Sequence, residues 1–89
     1  MNAVLTVMGA DKPGIIAKTS GLLYENDINI LDITQTIMQD IFTMIMFVDV
    51  SRVGSGFGEL SEKLAKLGDE LGVEIRIQHE DIFNSMHRI

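Results

Sequence analysis

The sequence predicts an α+β sandwich whose elements run strand, helix, strand, strand, helix, strand. Three observations carry that prediction. Residues 28–38 and 41–50 are two β-branched runs separated only by Gln39 and Asp40. Phe57, Leu60, Leu64, Leu67 and Leu71 recur at intervals of three and four, the period of one helix face. Val73, Ile75 and Ile77 alternate with Glu74, Arg76 and Gln78, the period of a half-exposed strand.

Residues 2–8, NAVLTVM, read as a first strand that stops at Gly9. The following GADKPG holds a helix start: Asp11 suits the cap, Pro13 the first turn, and Gly14 a close backbone approach. Ile15, Ile16, Thr19, Leu22, Leu23 and Asn26 then form one helical stripe, with Lys18 and Glu25 outside it and Asn26–Asp27 as its end. The two β-branched runs form a hairpin. With a two-residue loop, opposed residues sum to 79. One face then gathers Leu31, Ile33, Ile37, Phe42, Met44, Met46, Val48 and Val50, broken by Gln35 and by Asn29 at its end, and is expected on the core. The other carries Asp32, Thr34, Thr36, Thr43, Ile45, Phe47 and Asp49 and meets water or a second sheet. SRVGSGFG reads as a flexible connection, Gly72 as the stop of the second helix, and HEDIFNSMHRI as a short closing helix docked by Ile82, Phe83, Met86 and Ile89.

Short connections and right-handed crossovers leave few assemblies of this order. The simplest is the ferredoxin-like βαββαβ sandwich: an antiparallel sheet in the order 4-1-3-2, both helices on one face, and a short C-terminal helix. The expected domain is single, residues 1–89, with the core in 1–79 and the closing helix in 80–89.

Eighty-nine residues, 46% apolar, support one core. A chain this small buries only somewhat more than ~60% of its unfolded surface, so self-association is expected to contribute to its stability. It has no Cys, which removes disulfides, thiolate metal sites and Cys nucleophiles. No basic leader opens the chain and no apolar run approaches the ~18 residues of a membrane span, so a cytoplasmic protein is expected. The net charge of −6 divides as −4 over residues 1–50 and −2 over 51–89, so no basic patch suits nucleic acid or an anionic membrane surface.

The DKPGII turn, the helix after it, the INI strand start with Asn29 fifteen residues beyond Gly14, and the element order together resemble an ACT domain. The length and the closing HEDIFNSMHRI are similar to free-standing single-ACT proteins of uncharacterised role, akin to the ACT halves of the glycine cleavage repressor. The resemblance implies a regulatory, non-catalytic module without a cofactor. Its ligand would be an amino acid or related metabolite, held between the first-helix turn of one subunit and the second strand of another in a homodimer, with a regulated protein as a further partner. Asp11, Gly14, Ile15 and Asn29 are the site residues it points to. Their chemistry is compatible: amides at a helix start suit a carboxylate, Asp11 suits an ammonium, and the Asn29 amide can both donate and accept. Two plainer roles stand beside these, Asp11 as a helix cap and Asn29 as the finish of the turn after Asp27. In amino-acid-binding ACT sites a His can stand at the position matching Gly9, and its absence favours the alternative of an interaction module without a ligand.

Other constellations point elsewhere than to chemistry. Gly54, Gly56 and Gly58 lack the third Gly and the Lys-Ser/Thr pair of phosphate loops, with Glu59 standing in the way. His79 and His87 with Glu80 and Asp81 have no standard metal spacing, so no metal site is expected. Met44 and Met46 read as core. The turn lacks the Arg that an acylphosphatase of this fold needs, the first strand lacks the aromatics of an RNA-recognition motif, and paired Cys of a metallochaperone are missing.

Overall fold

The computed structural model describes residues 1–82. Its elements are β1 (Asn2–Ala10), α1 (Ile15–Glu25), β2 (Asn29–Met38), β3 (Ile41–Asp49), α2 (Phe57–Leu71) and β4 (Val73–His79). The sheet is antiparallel throughout, in the order β2-β3-β1-β4. This is the expected ferredoxin-like sandwich. Ala3, Leu5 and Val7 of β1, Met44 and Met46 of β3, and Ile75 and Ile77 of β4 share one core with Ile15 and Leu23 of α1 and Leu60 and Leu64 of α2, so both helices lie on the same sheet face. No helix among the described residues is long and apolar enough to cross a membrane.

β1 runs through Gly9 rather than stopping there, because the glycine lets two strands close on it. Gly9 pairs with Phe42 on one side and Val73 on the other. A Cβ at Gly9 would stand 2.7 Å from Val73 Cγ1 and 2.9 Å from Val73 Cα.

The start of α1 differs from the expected Asp11 cap. Gly14 occupies the cap position with φ +89°, no side chain caps the helix, and the first helical residue is Ile15. A residue without Cβ accepts that left-handed conformation at little steric cost, so the glycine turns the chain into the helix and Asp11 lies a turn upstream. Ile15, Thr19 and Leu23 form the buried stripe, whereas Ile16 is 39% exposed. At the other end the Asn26 N–H donates to Leu23 C=O, the Asp27 N–H to Tyr24 C=O and the Ile28 N–H to Leu23 C=O. These bonds satisfy the last carbonyls of the helix and end it at Asn26–Asp27, as the sequence implies.

The hairpin turns on Gln39 and Asp40, both at positive φ (50° and 70°), and opposed residues sum to 79 from Asp32↔Phe47 to Met38↔Ile41. Beyond that the ladder slips. An irregularity between Ile30 and Asp32 pairs Ile30 with Val48 and Asn29 with Asp49. The extra residue of this bulge moves Asn29 from the core face, where a regular hairpin puts it, to the face shared by Phe47 and Asp49. A second correction concerns coverage. Phe42, Met44, Met46, Val48 and Val50 are buried as expected, but Leu31, Ile33 and Ile37 are 50%, 43% and 60% exposed. β2 is an edge strand, and the helix layer does not reach over it.

Within SRVGSGFG, Gly54–Gly56 form a 3₁₀ turn, Val53 packs against the core, and Phe57 already opens α2. α2 buries Leu60, Leu64, Gly68 and Leu71 and ends at Gly72, whose φ of +71° makes it the stop the sequence predicts. Gly68 sits directly on β4: a Cβ there would stand 2.6 Å from Val73 O. β4 alternates as expected, with Val73, Ile75 and Ile77 buried and Glu74 and Arg76 exposed. Residues 80–82 are helical. The rest of the expected closing helix, with Phe83, Met86, His87 and Ile89, lies outside the described residues.

Candidate functional site

The turn between β1 and α1 is held beside the hairpin tip, because the Asp11 N–H donates to Asp40 C=O at 3.1 Å. Asp11, Lys12, Pro13 and Gly14 are all exposed. The Lys18 N–H is the first to close a helical ring, onto Gly14 C=O at 2.9 Å, so the amides just before it have no helical acceptor and face out of the positive end of the helix. Lys12 leans away from them. Its Nζ lies 2.7 Å from the point a Cβ on Gly72 would occupy, over the C-terminal end of α2, where the helix dipole favours a cation. The Asp11 carboxylate makes no hydrogen bond or ion pair among the described residues. The turn thus presents free amides and one free carboxylate, a pairing suited to the two charged ends of an amino acid.

Asp11, Gly14 and Ile15 are therefore together, and Asn29 is not with them. It follows the far end of α1, a helix of 11 residues, hence about 16 Å away along the axis. Asn29 instead lines a cavity of about 430 Å³ with Tyr24, Asp27, Ile28, Asp49, Ser51 and Arg52. Sequence reasoning missed these neighbours, because the bulge that turns Asn29 toward Asp49 leaves no mark in the alternation of β2. Asp49 is already engaged there. Ser51 donates both its hydroxyl and its backbone N–H to Asp49 Oδ1, at 2.5 and 2.9 Å, and the Met1 ammonium stands 3.9 Å from the same oxygen. The Ser51 hydroxyl, then the Ser51 N–H, hold this carboxyl below its ordinary value of 3.8.

The other candidates are structural. Met44 and Met46 are fully buried in the core. The His79 ring stacks on Phe57 with centroids 4.1 Å apart, and its Nδ1 is buried with no hydrogen-bond partner among the described residues. Among the described residues no three His, Cys, Asp or Glu side chains cluster to hold a metal. The close Gly9–Val73 contact explains why no larger residue stands at the position where a His was sought: the strands leave it no volume.

Comparison with known proteins extends this picture. The family model described as "ACT domain" matches residues 2–78. A UPF0237 protein of Methanococcus maripaludis is 58% identical over 88 residues, covering 99% of this chain and 98% of its own. The solved structure of an ACT domain protein from Streptococcus pneumoniae superposes with a TM-score of 0.82 at 41% identity, covering 93% of each chain. The regulatory subunit of aspartate kinase from Thermus thermophilus superposes at 0.67 with 27% identity, covering 86% of this chain and 50% of that one. Fold, turn and sequence agree, and the chain belongs to the ACT-domain family, among its single-domain UPF0237 members.

Proposed function

We propose that this chain is a non-catalytic regulatory module of the cytoplasm that binds an amino acid or a closely related metabolite between two copies of itself. The carboxylate of the ligand is received by the amides at Gly14 and Ile15, its ammonium by Asp11, and Asn29 of the second copy completes the site. The observation that carries this reading is the position of the turn. Asp11 is bonded to Asp40, next to the end of β2, while Asn29 opens the same strand at its other end. Antiparallel pairing of two β2 strands reverses one against the other and brings each Asn29 to the Asp11 end of its neighbour, which no arrangement within a single copy does. The kinship with a regulatory subunit supports the regulatory part of the reading, with the liganded dimer signalling to a protein that it controls. Such a ligand bridges subunits, so binding and assembly are linked: each strengthens the other.

A thermal-shift panel of the twenty amino acids tests it, paired with sedimentation. At about 100 times its Kd a ligand contributes roughly 2.7 kcal/mol, a shift of several degrees for a domain this small. The expected result is one responding class of amino acid that also shifts the chain toward dimer, with both effects lost in Asp11→Ala and Asn29→Ala. One observation favours a second reading, an interaction module without a ligand: the Val73 contact denies Gly9 any side chain to offer. A dimer that ignores every amino acid, and whose melting is unchanged by Asn29→Ala, selects that second reading.

A further inference from the structure

The outer faces of the two helices carry the same pattern. In α1, Lys18, Leu22 and Glu25 stand at i, i+4 and i+7, and in α2 Lys63, Leu67 and Glu70 repeat that spacing. Each series is one stripe of its helix, and the two stripes wall a single groove of about 430 Å³ whose apolar lining is Gly21, Leu22 and Leu67. The helices return from β1 and β3, which are antiparallel to each other, so they run in opposite directions. Lys63 Nζ donates to Asn26 Oδ1 at 3.4 Å, which sets Lys63 beside the C-terminal end of α1. Seven residues of helix rise about 10 Å, so Lys18 and Glu70 share the other end. Lys18 thus stands across from Glu70, Glu25 across from Lys63, and the charges alternate in sign around the four corners of the face.

Two features of this face are unfavourable in a lone chain. Lys18 lies in the first turn of α1 and Glu25 is its last residue, each at the end whose helix dipole opposes its charge. The ion pairs among the described residues lie elsewhere, at Met1–Asp49 and Glu74–Arg76. Gly21 sits in the middle of α1, where glycine weakens a helix, yet a Cβ there meets nothing within 4 Å, so packing within the chain does not require it.

We propose that the helix layer is a docking surface for the helix layer of a second copy, about a two-fold axis running along the groove. A face whose corners alternate in sign is complementary to itself when the helices of the two copies are aligned, and repels itself when they cross at right angles. With the axis along the groove, α1 lies on α2 of the second copy. Lys18 then meets Glu70, Glu25 meets Lys63, and Leu67 comes over Gly21, into the space its missing side chain leaves. An axis across the groove lays α1 on α1 and matches the four corners equally well, but it sets Lys66 against Lys66 of the second copy. Lys66 therefore selects the first arrangement. This contact uses neither the Asp11 turn nor Asn29 nor β2, so it goes beyond the ligand site and adds one copy to whatever the rest of the surface assembles. Its charge pairs are exposed, so raising salt weakens it.

Sedimentation equilibrium of the full chain at low salt tests the docking with three proteins: the parent, Glu25→Lys, and Glu25→Lys combined with Lys63→Glu. The single variant opposes two cations at both symmetry-related contacts and is expected to weaken association roughly tenfold. A cation suits the C-terminal end of α1, so the melting temperature of the dilute variant should hold or rise, which separates lost docking from lost folding. The combined variant exchanges the pair and is expected to recover the parental association to within about threefold. In the α1-on-α1 arrangement position 25 meets Lys18, and the exchange restores nothing. Association of Glu25→Lys equal to that of the parent overturns docking through this face and leaves the ligand reading standing, since neither substitution touches Asp11 or Asn29. A combined variant as weak as the single one overturns the α1-on-α2 arrangement. A parent that sediments as a monomer at every concentration overturns the docking and the homodimer together.

Discussion

The two edges of the sheet carry similar sequence patterns and have opposite fates. β4 alternates apolar with polar residues; its Val73, Ile75 and Ile77 are buried beneath α2, and its outward Glu74 and Arg76 pair with each other at 2.6 Å. β2 also sets Ile33 and Ile37 on one face with Gln35 between them, but both are exposed and the strand lies at the sheet edge. Charged, short, covered edges resist further pairing, and long apolar ones invite it. The difference teaches that alternation identifies which face of a strand is apolar and leaves open whether the same chain covers that face. In this molecule the apolar side of β4 is covered within the chain, and the apolar side of β2 is left exposed.

The largest expected effect tests that contrast directly. Leu64→Ala removes a fully buried side chain of α2 and is expected to cost about 2–5 kcal/mol in denaturant unfolding. Ile37→Ala, at a residue 60% exposed, is expected to stay within about 0.5 kcal/mol when measured at dilution, where no second copy is bound. A dilute Ile37→Ala protein that loses as much as Leu64→Ala would show that β2 is covered within one chain and would remove the contrast.

Much of the fold was legible because its elements repeat at their own periods. The Leu60–Leu64–Leu67–Leu71 series, the VEIRIQ alternation and a two-residue Gln39–Asp40 turn each specify local structure without reference to the rest of the chain. What was illegible depends on distant packing. The bulge at Leu31 leaves the composition of β2 unchanged, so it hid the movement of Asn29 to the face of Asp49 and the company of Arg52 and Tyr24 around it. The cap of α1 misled for a related reason. Asp11 is a good capping residue three positions too early, and Gly14 fills the cap by conformation, a property that appears only as a backbone angle.

A smaller effect is expected where β4 meets its helix. Gly68→Ala gains helix propensity of up to about 1 kcal/mol, yet places its methyl 2.6 Å from Val73 O, a backbone atom that cannot swing aside. The balance is a loss of about 1–3 kcal/mol, read as a lowered melting temperature. Gly58→Ala is the matched control: a Cβ there meets nothing within 4 Å, so the same propensity gain should appear without the loss. Equal behaviour of the two variants would mean that the tight α2–β4 seam does not distinguish the covered edge.

The smallest effect lies at the end of the sheet, where β3 joins the starts of β1 and β2. Asp49 is paired in the ladder with Asn2 on one side and Asn29 on the other, and its carboxyl is held below the ordinary 3.8 chiefly by the Ser51 hydroxyl. A folded-state value below the unfolded one means that the contribution is complete above the unfolded value and is lost as the pH falls through the folded one. Melting curves of the parent and Ser51→Ala between about pH 5 and pH 2 should therefore show a small parental advantage at the upper end that shrinks toward the lower. The carboxylate is partly exposed at the surface, so solvent and salt keep the advantage modest. Asn29→Ala, which leaves the Ser51 contacts in place, should keep the same acid dependence. If it abolished that dependence, Asn29 would be tied to Asp49 within its own copy and would not be available at the open edge for a second.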